Sequence, residues 1–171
     1  MLIVEGGENM SLQINRKMDY QKTVEKYSYM VYRLAYFYTN SKYDADDIYQ
    51  DVFLKYLQNK KEFKDEEHKK AWIIRVTINS CKKLWMSSWK RKVVPLNDEI
   101  KFEKEEEIGL YNELKKLPKK YRLVIHLYYY EQYSVRDIST ILGQKESTIR
   151  TWLTRARKLL KKYIKEDDFY V

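Results

Sequence analysis

Cysteine occurs once in this 171-residue chain, at Cys81. A single thiol closes no internal disulfide, which excludes a disulfide-stapled secreted scaffold. Ile78 and Leu84 share its helical face, so Cys81 reads as a small core residue and not as a reactive thiol. Glycine and proline are nearly as scarce, at four and two residues, and no segment alternates polar with apolar residues as a half-buried strand does. The expectation is an all-α protein. No apolar run approaches the roughly 20 residues that span a bilayer, and no charged-then-apolar leader precedes a cleavage site. Stable membrane insertion is therefore not expected, and the expected location is the reducing cytoplasm. Recognisable reaction chemistry is missing too. His68 and His126 lie far apart in sequence, Cys81 lacks ligand spacing, and there is no glycine-rich phosphate loop or nucleophile motif. No catalytic residue, metal or cofactor is expected, and the two histidines read as satisfied or exposed side chains.

Acids are missing from one long window. Between His68 and Val94 there are eight Lys or Arg and no Asp or Glu, and three of the four tryptophans, Trp72, Trp85 and Trp89, fall inside it. Cations among aromatic rings suit a single-strand surface, where lysines hold phosphates and rings stack on bases. The plainer alternative is that tryptophans on amphipathic helices serve the core; Trp72 is assigned there, and Trp89 to the surface. The whole chain carries a net charge of +9, which points to a polyanionic partner, nucleic acid before membrane.

The second cationic window holds the most local structure. Ser134 with Asp137 three residues on forms a capping box, and Val135, Ile138, Ile141 and Leu142 make the apolar stripe of a short helix that should stop at Gly143 in the left-handed conformation. A longer helix should open near Glu146 to Thr148 and bury Ile149, Trp152, Leu153, Ala156, Leu159, Leu160, Tyr163 and Ile164. From Lys145 to Lys165 it carries eight Lys or Arg against one acid, Glu146. Short helix, glycine turn and long basic helix spell a helix-turn-helix, whose second member fits the major groove of duplex DNA. Arg150, Thr151, Thr154, Arg155 and Lys158 are the candidates for the groove, with Lys161 and Lys162 on phosphates. A charged helical hairpin with a solvated face is the alternative.

The remaining chain sorts into segments. Residues 1–18, with Gly6-Gly7, lack periodicity and should be a disordered tail; Glu5 to Asn9 is also what a ribosome-binding site would encode if read through, which makes Met10 an alternative start to Met1. A first helix is expected over about Asp19 to Tyr38, burying Val24, Tyr27, Val31, Leu34, Ala35 and Tyr38. After a break at Thr39 to Tyr43, Asp44 and Asp47 should open a second helix that buries Ala45, Ile48, Tyr49, Val52, Phe53, Tyr56 and Leu57. Its outer face shows Asp47, Gln50, Asp51 and Leu54, which periodicity alone reads as a solvated surface with a stray leucine. Asn59 to Lys69 should be a loop, and a third helix from Lys70 should bury Ala71, Ile74, Ile78, Cys81 and Trp85. Residues 98–107 hold six acids against two lysines, a solvated composition that separates domains. Two small helical domains, 19–89 and 109–166, are thus joined by an acidic linker at 90–108, with a short tail at 167–171. Leu110, Leu114 and Leu117, then Tyr121, Val124, Ile125 and Tyr128, support the helix-turn-helix.

The order of these pieces resembles one family, the extracytoplasmic-function (ECF) sigma factors of bacterial RNA polymerase. Asp44-Ala45-Asp46-Asp47-Ile48-Tyr49-Gln50-Asp51-Val52-Phe53-Leu54 is similar to the region-two helix that docks on the β′ clamp helices. Ala71-Trp72-Ile73-Ile74-Arg75-Val76-Thr77-Ile78-Asn79 is similar to the segment that melts and reads the minus-ten element. Leu117 to Arg122, Tyr133 to Ile138, Thr148 to Arg150 and Arg155 to Arg157 look like region four, the reader of the minus-thirty-five element. The resemblance implies polymerase contacts at Asp47, Gln50, Asp51 and Leu54, melted-strand contacts at Arg75, Asn79, Lys82 and Lys83, and a flipped-base pocket in the loop Phe63 to Lys69. It implies core RNA polymerase (β′ clamp helices and β flap) and promoter DNA, duplex and melted, as partners, with an anti-sigma factor as a further candidate. Ser139 stands where the family usually has alanine, Trp152 where a small or basic residue is common, and Asp65, Glu66 and Glu67 enrich the pocket loop in acid. A stand-alone helix-turn-helix regulator is the alternative, and it leaves the first half of the chain idle.

Overall fold

A computed structural model describes residues 5–88 and 111–167, and no strand occurs among them. The first three helices are α1 (Glu5–Thr39), α2 (Lys42–Gln58) and α3 (Glu66–Ser88). They pack around Val31, Leu34, Ala45, Ile48, Val52, Ile74 and Ile78, all buried. The α1–α2 turn is tight because Asn40 takes φ 56°, a left-handed conformation that asparagine tolerates better than most residues. Cys81 is buried and its thiol is pushed up to about 12, by burial first, so it is packing material as expected.

Helix boundaries differ from the sequence reading in three places. The expected disordered tail is helical from Glu5 onward. The extension has anchors near its junction with the packed part: Asp19 accepts hydrogen bonds from the Tyr56 hydroxyl and from Lys69 Nζ, and Tyr20 stacks on Tyr56 with ring centroids 6.3 Å apart. Helix α2 begins at Lys42, capped by Ser41, whose hydroxyl accepts from Asp44 N; Asp44 lies in the first turn and is not the cap. Helix α3 starts four residues before Lys70 because Asp65 Oδ1 accepts from His68 N at 2.7 Å, while Glu66 and Glu67 favour its positive end. The acids of the expected pocket loop therefore belong to a helix start.

The second half comprises α4 (Tyr111–Lys116), α5 (Lys119–Ile125), a π-helical turn over His126–Tyr130, α6 (Val135–Leu142) and α7 (Glu146–Asp167). The capping box at Ser134 and Asp137 forms in full, and Gly143 takes φ 63°, ψ 37° at the end of α6. Leu117, Val124, Leu127, Ile138, Ile149, Leu153 and Ala156 fill this module. The expected linker, 90–108, and Trp89 lie outside the described residues.

The two modules are packed on each other, and their buried apolar residues form one continuous cluster. Arg122 of α5 donates from Nη2 to the carbonyls of Lys115 and Leu117, 2.8 and 3.0 Å, closing the end of α4. Its Nη1 reaches across to the Phe37 carbonyl near the end of α1. Helix carbonyls there have no partner within their own helix, so one guanidinium satisfies two helix ends.

Candidate nucleic-acid interface

On α7 the apolar positions face inward, and Arg150, Thr151, Thr154, Arg155, Lys158, Lys161 and Lys162 are all exposed. Twenty-two residues make this helix about 33 Å long, a rod of major-groove diameter. Arg150 Nη2 is held 2.7 Å from Glu146 Oε2 one turn back, and Thr151 donates to the Ser147 carbonyl at 2.9 Å, so both side chains are oriented before any ligand arrives. Arg157 is different. Its Nε donates to the Tyr129 hydroxyl at 2.8 Å and its guanidinium lies over the rings of Tyr128 and Tyr129, which ties the helix to the π turn.

The two departures in this motif have local causes. Ser139 donates from Oγ to the Gln144 carbonyl at 2.6 Å, bracing the turn that follows α6. Trp152 lies half-buried, under Lys120 Nζ at 5.7 Å, and lines a cleft of about 380 Å³ with Tyr38, Leu123 and Leu142 between the modules. It faces the seam and not the groove-reading side.

In the first module, Arg75, Asn79, Lys82 and Lys83 share one exposed face of α3. At the start of that helix an aromatic cluster lines a cleft of about 790 Å³ between the beginning of α1 and the loop 59–63. Phe63 lies nearly parallel to Tyr56 at 6.1 Å and meets the Trp72 edge at 5.5 Å. Trp72 is half-buried, in keeping with its assignment to packing. The cleft is lined by Asn15, Arg16, Asp19, Tyr20, Asn59 to Phe63 and Lys69. Helix α1 thus supplies one wall, a contribution missed because the start of that helix was read as a tail. Glu66 is turned away: it accepts from Tyr27 at 2.6 Å and pairs with Lys26 at 3.0 Å.

The outer face of α2 shows Asp47 and Gln50 exposed, and Leu54 is 52% exposed. Leu57, assigned to the core by its spacing, is 58% exposed and lies beside them. The module interior is already filled from Val52, Phe53 and Tyr56, which leaves Leu57 one position too far round the helix. Asp51 is half-buried and accepts from Lys55 at 2.6 Å and from Ser80 of α3 at 2.7 Å. Burial raises its carboxyl, but these hydrogen bonds outweigh burial and hold it below the usual range. Asp51 therefore locks α2 to α3, while Asp47, Gln50, Leu54 and Leu57 remain available.

A helix-turn-helix with a cationic outer face is packed on a three-helix module that carries cationic, aromatic and acidic surfaces of its own, the architecture of a helical transcription factor. Residues 23–91 match the family described as Sigma-70 region 2 and residues 109–160 that described as Sigma-70, region 4. The chain belongs to the sigma-70 family, in its extracytoplasmic-function branch, and its function is that of an RNA polymerase sigma factor. It is similar to RNA polymerase sigma factor SigV of Bacillus subtilis (26% identity, covering 80% of this chain and 86% of that one). It is also similar to ECF RNA polymerase sigma factor SigW of the same organism (25%, covering 84% and 87%). Its fold is similar to that of the sigma factor RpoE in complex with the anti-sigma factor NepR from Bartonella quintana (TM-score 0.69, 21% identity, covering 86% of this chain and 97% of that one). CnrH, in complex with the cytosolic domain of CnrY, is a second structural neighbour (TM-score 0.64, 19% identity, covering 88% and 90%).

Proposed function

We propose that the first module, residues 19–89, holds core RNA polymerase through Asp47, Gln50 and Leu54, with Leu57 added to that surface and Asp51 fixing it from beneath. The β′ clamp helices are the partner there, and the β flap is the partner of the second module, residues 109–166. Arg75, Asn79, Lys82 and Lys83 take the opened minus-ten strand, and the cleft lined by Tyr20, Tyr56 and Phe63, with Trp72 packed behind Phe63, accepts an unstacked base. Unpairing costs a few kcal/mol, so a pocket that accepts only some bases turns strand opening into sequence choice. On α7, Arg150, Thr151, Thr154, Arg155 and Lys158 read the minus-thirty-five duplex, and Lys161 and Lys162 hold phosphates. The protein acts in the cytoplasm, and an anti-sigma factor is a candidate partner, as one is for RpoE.

The observation that carries this reading is the pairing of an unused acidic, amide and leucine face on α2 with cationic faces on α3 and α7. A stand-alone regulator would need α7 alone, and the match of residues 23–91 to Sigma-70 region 2 disfavours it. Transcription reconstituted from core polymerase, this protein and genomic DNA is the test. Transcripts with shared upstream elements are expected, and failure of the folded protein to bind core polymerase overturns the reading.

A further inference from the structure

The cleft beside Tyr56 and Phe63 holds a polar network that the base-pocket reading leaves unused. At its centre is Asp19 of α1, whose carboxylate accepts from the Tyr56 hydroxyl through Oδ2 and from Lys69 Nζ through Oδ1 at 3.1 Å. The Tyr56 hydroxyl itself accepts from Thr23 at 3.1 Å, so its one proton is committed to Asp19. Burial raises the Asp19 carboxyl, but the bonds from Tyr56 and Lys69 outweigh it and hold the group below the usual range. It is therefore ionised, an acceptor with no proton to give. The side chain is 56% exposed and lines the cleft, so oxygen lone pairs remain for a ligand.

The aromatic side of the cleft is a stack. Tyr20 lies on Tyr56 at 24° and 6.3 Å, and Tyr56 on Phe63 at 15° and 6.1 Å, so the three rings run nearly parallel. Stacking holds a flat base without telling bases apart, because every base has a π-face. Choice has to come from the hydrogen-bonding edge, where Asp19 supplies an ionised acceptor. Adenine, cytosine and guanine each carry an exocyclic amino group that donates to a carboxylate. Thymine carries none, and its N3–H lies between two carbonyls that meet a carboxylate with like partial charge. The match to Sigma-70 region 2 begins at residue 23, so Asn15, Arg16, Asp19 and Tyr20 reach the cleft from chain that precedes the matched segment.

We propose that Asp19 is a specificity-determining residue of this cleft: it admits an unstacked base with an exocyclic amino group and turns thymine away, while Tyr56 and Lys69 position its carboxylate. The inference deepens the base-pocket reading above and rests on it. A brace that only fastened α1 to α2 and α3 would use the same two bonds but would leave base preference untouched.

The test measures binding of holoenzyme, core polymerase with this protein, to short fluorescent oligothymidylates that carry one substituted base. 5-Methylcytosine keeps the size and methyl group of thymine and differs at its edge, with an amino group in place of the C4 carbonyl and no proton on N3. One such base should tighten binding about tenfold over the all-thymine strand, the size of one good base contact. Asp19→Asn, whose amide both donates and accepts, should close that gap. Equal binding of the two strands by the wild type overturns the proposal, and this arm needs no variant to fold. So does an unchanged gap in Asp19→Asn that circular dichroism shows to be folded. Phe63→Ala separates the two readings. If it weakens no strand, bases do not enter the cleft and the base-pocket reading fails. If it weakens every strand while the wild type shows no preference for 5-methylcytosine, bases do enter and only the role of Asp19 fails.

Discussion

The interior of each module and the seam between modules are both buried, yet the seam adds charge to the apolar packing that runs through both. Inside, Val52 and Ile74 of the first module and Leu127, Ile138 and Ile149 of the second are wholly buried and carry no side-chain polar atom to satisfy. At the seam, Arg33, Arg122, Glu131 and His126 are all less than a tenth exposed. Apolar burial is lost whenever a module opens, so it holds a module in one state. Charged burial gives up hydration that the pairing must repay, so it adds less net stability and depends on every partner being in place. The difference teaches where this molecule is held by burial alone and where it also depends on the geometry of paired charges.

The largest expected effect breaks an apolar interior. Ile74→Ala removes a wholly buried side chain and should destabilise the first module by about 2 to 5 kcal/mol, read as a lower urea midpoint with an unchanged slope. Arg155→Ala should cost roughly 1 to 3 kcal/mol in binding at one base position of the minus-thirty-five element. Lys162→Ala should weaken all sequences alike and flatten the salt dependence by about one log unit. If Arg155→Ala lowers every sequence equally, its assignment to base reading is wrong. Gly143→Ala meets no atom within 4 Å but must hold φ at 63°, so the cost is backbone strain of roughly 1 to 2 kcal/mol, visible in thermal unfolding. Ser134→Ala should cost about 1 kcal/mol through the lost cap.

The smallest effect sharpens the comparison by pH. Burial first, and then the charge of Arg33, push the His126 imidazole below its ordinary range against the opposing pull of Glu131; Glu131 is held at about 2, burial raising it and His126, Arg33 and Lys70 lowering it by more. A group that resists protonation when buried stabilises the folded protein fully above its ordinary value, and that contribution is lost as pH falls below it. The urea midpoint should therefore fall as pH drops through about 6.5, and His126→Phe should remove that part of the pH dependence.

Much of this was legible in the sequence where a signal is local. The Ser134 and Asp137 box, the Gly143 stop and the Glu146 start each depend on neighbours within four residues, and all three are in place. The exposed cationic face of α7 followed from one-sided charge. Leu57 was misplaced because a helical stripe fixes a direction but not the width of the buried arc. The cap at Ser41 was overlooked because Asp44, three residues on, looked like a start in its own right, and the cap at Asp65 because the polar run 59–69 read as a loop. The seam was invisible, since Arg33 and Glu131 are 98 residues apart and nothing in either neighbourhood names the other. The cleft beside Tyr56 and Phe63 was foreseen only in its loop, and its α1 wall needed three dimensions.

The π turn sets an angular phase. Glu131 N bonds back to the His126 carbonyl at 3.1 Å, a step of five residues where an α-helix would use four. Each residue advances a helix by about 100°, so the wider loop decides which way the carboxylate after it points. Removing one amino acid between Leu127 and Tyr130 would swing Glu131 away from Arg33 and, because Tyr128 and Tyr129 both carry the Arg157 guanidinium, would loosen the tie of α7 to the turn as well.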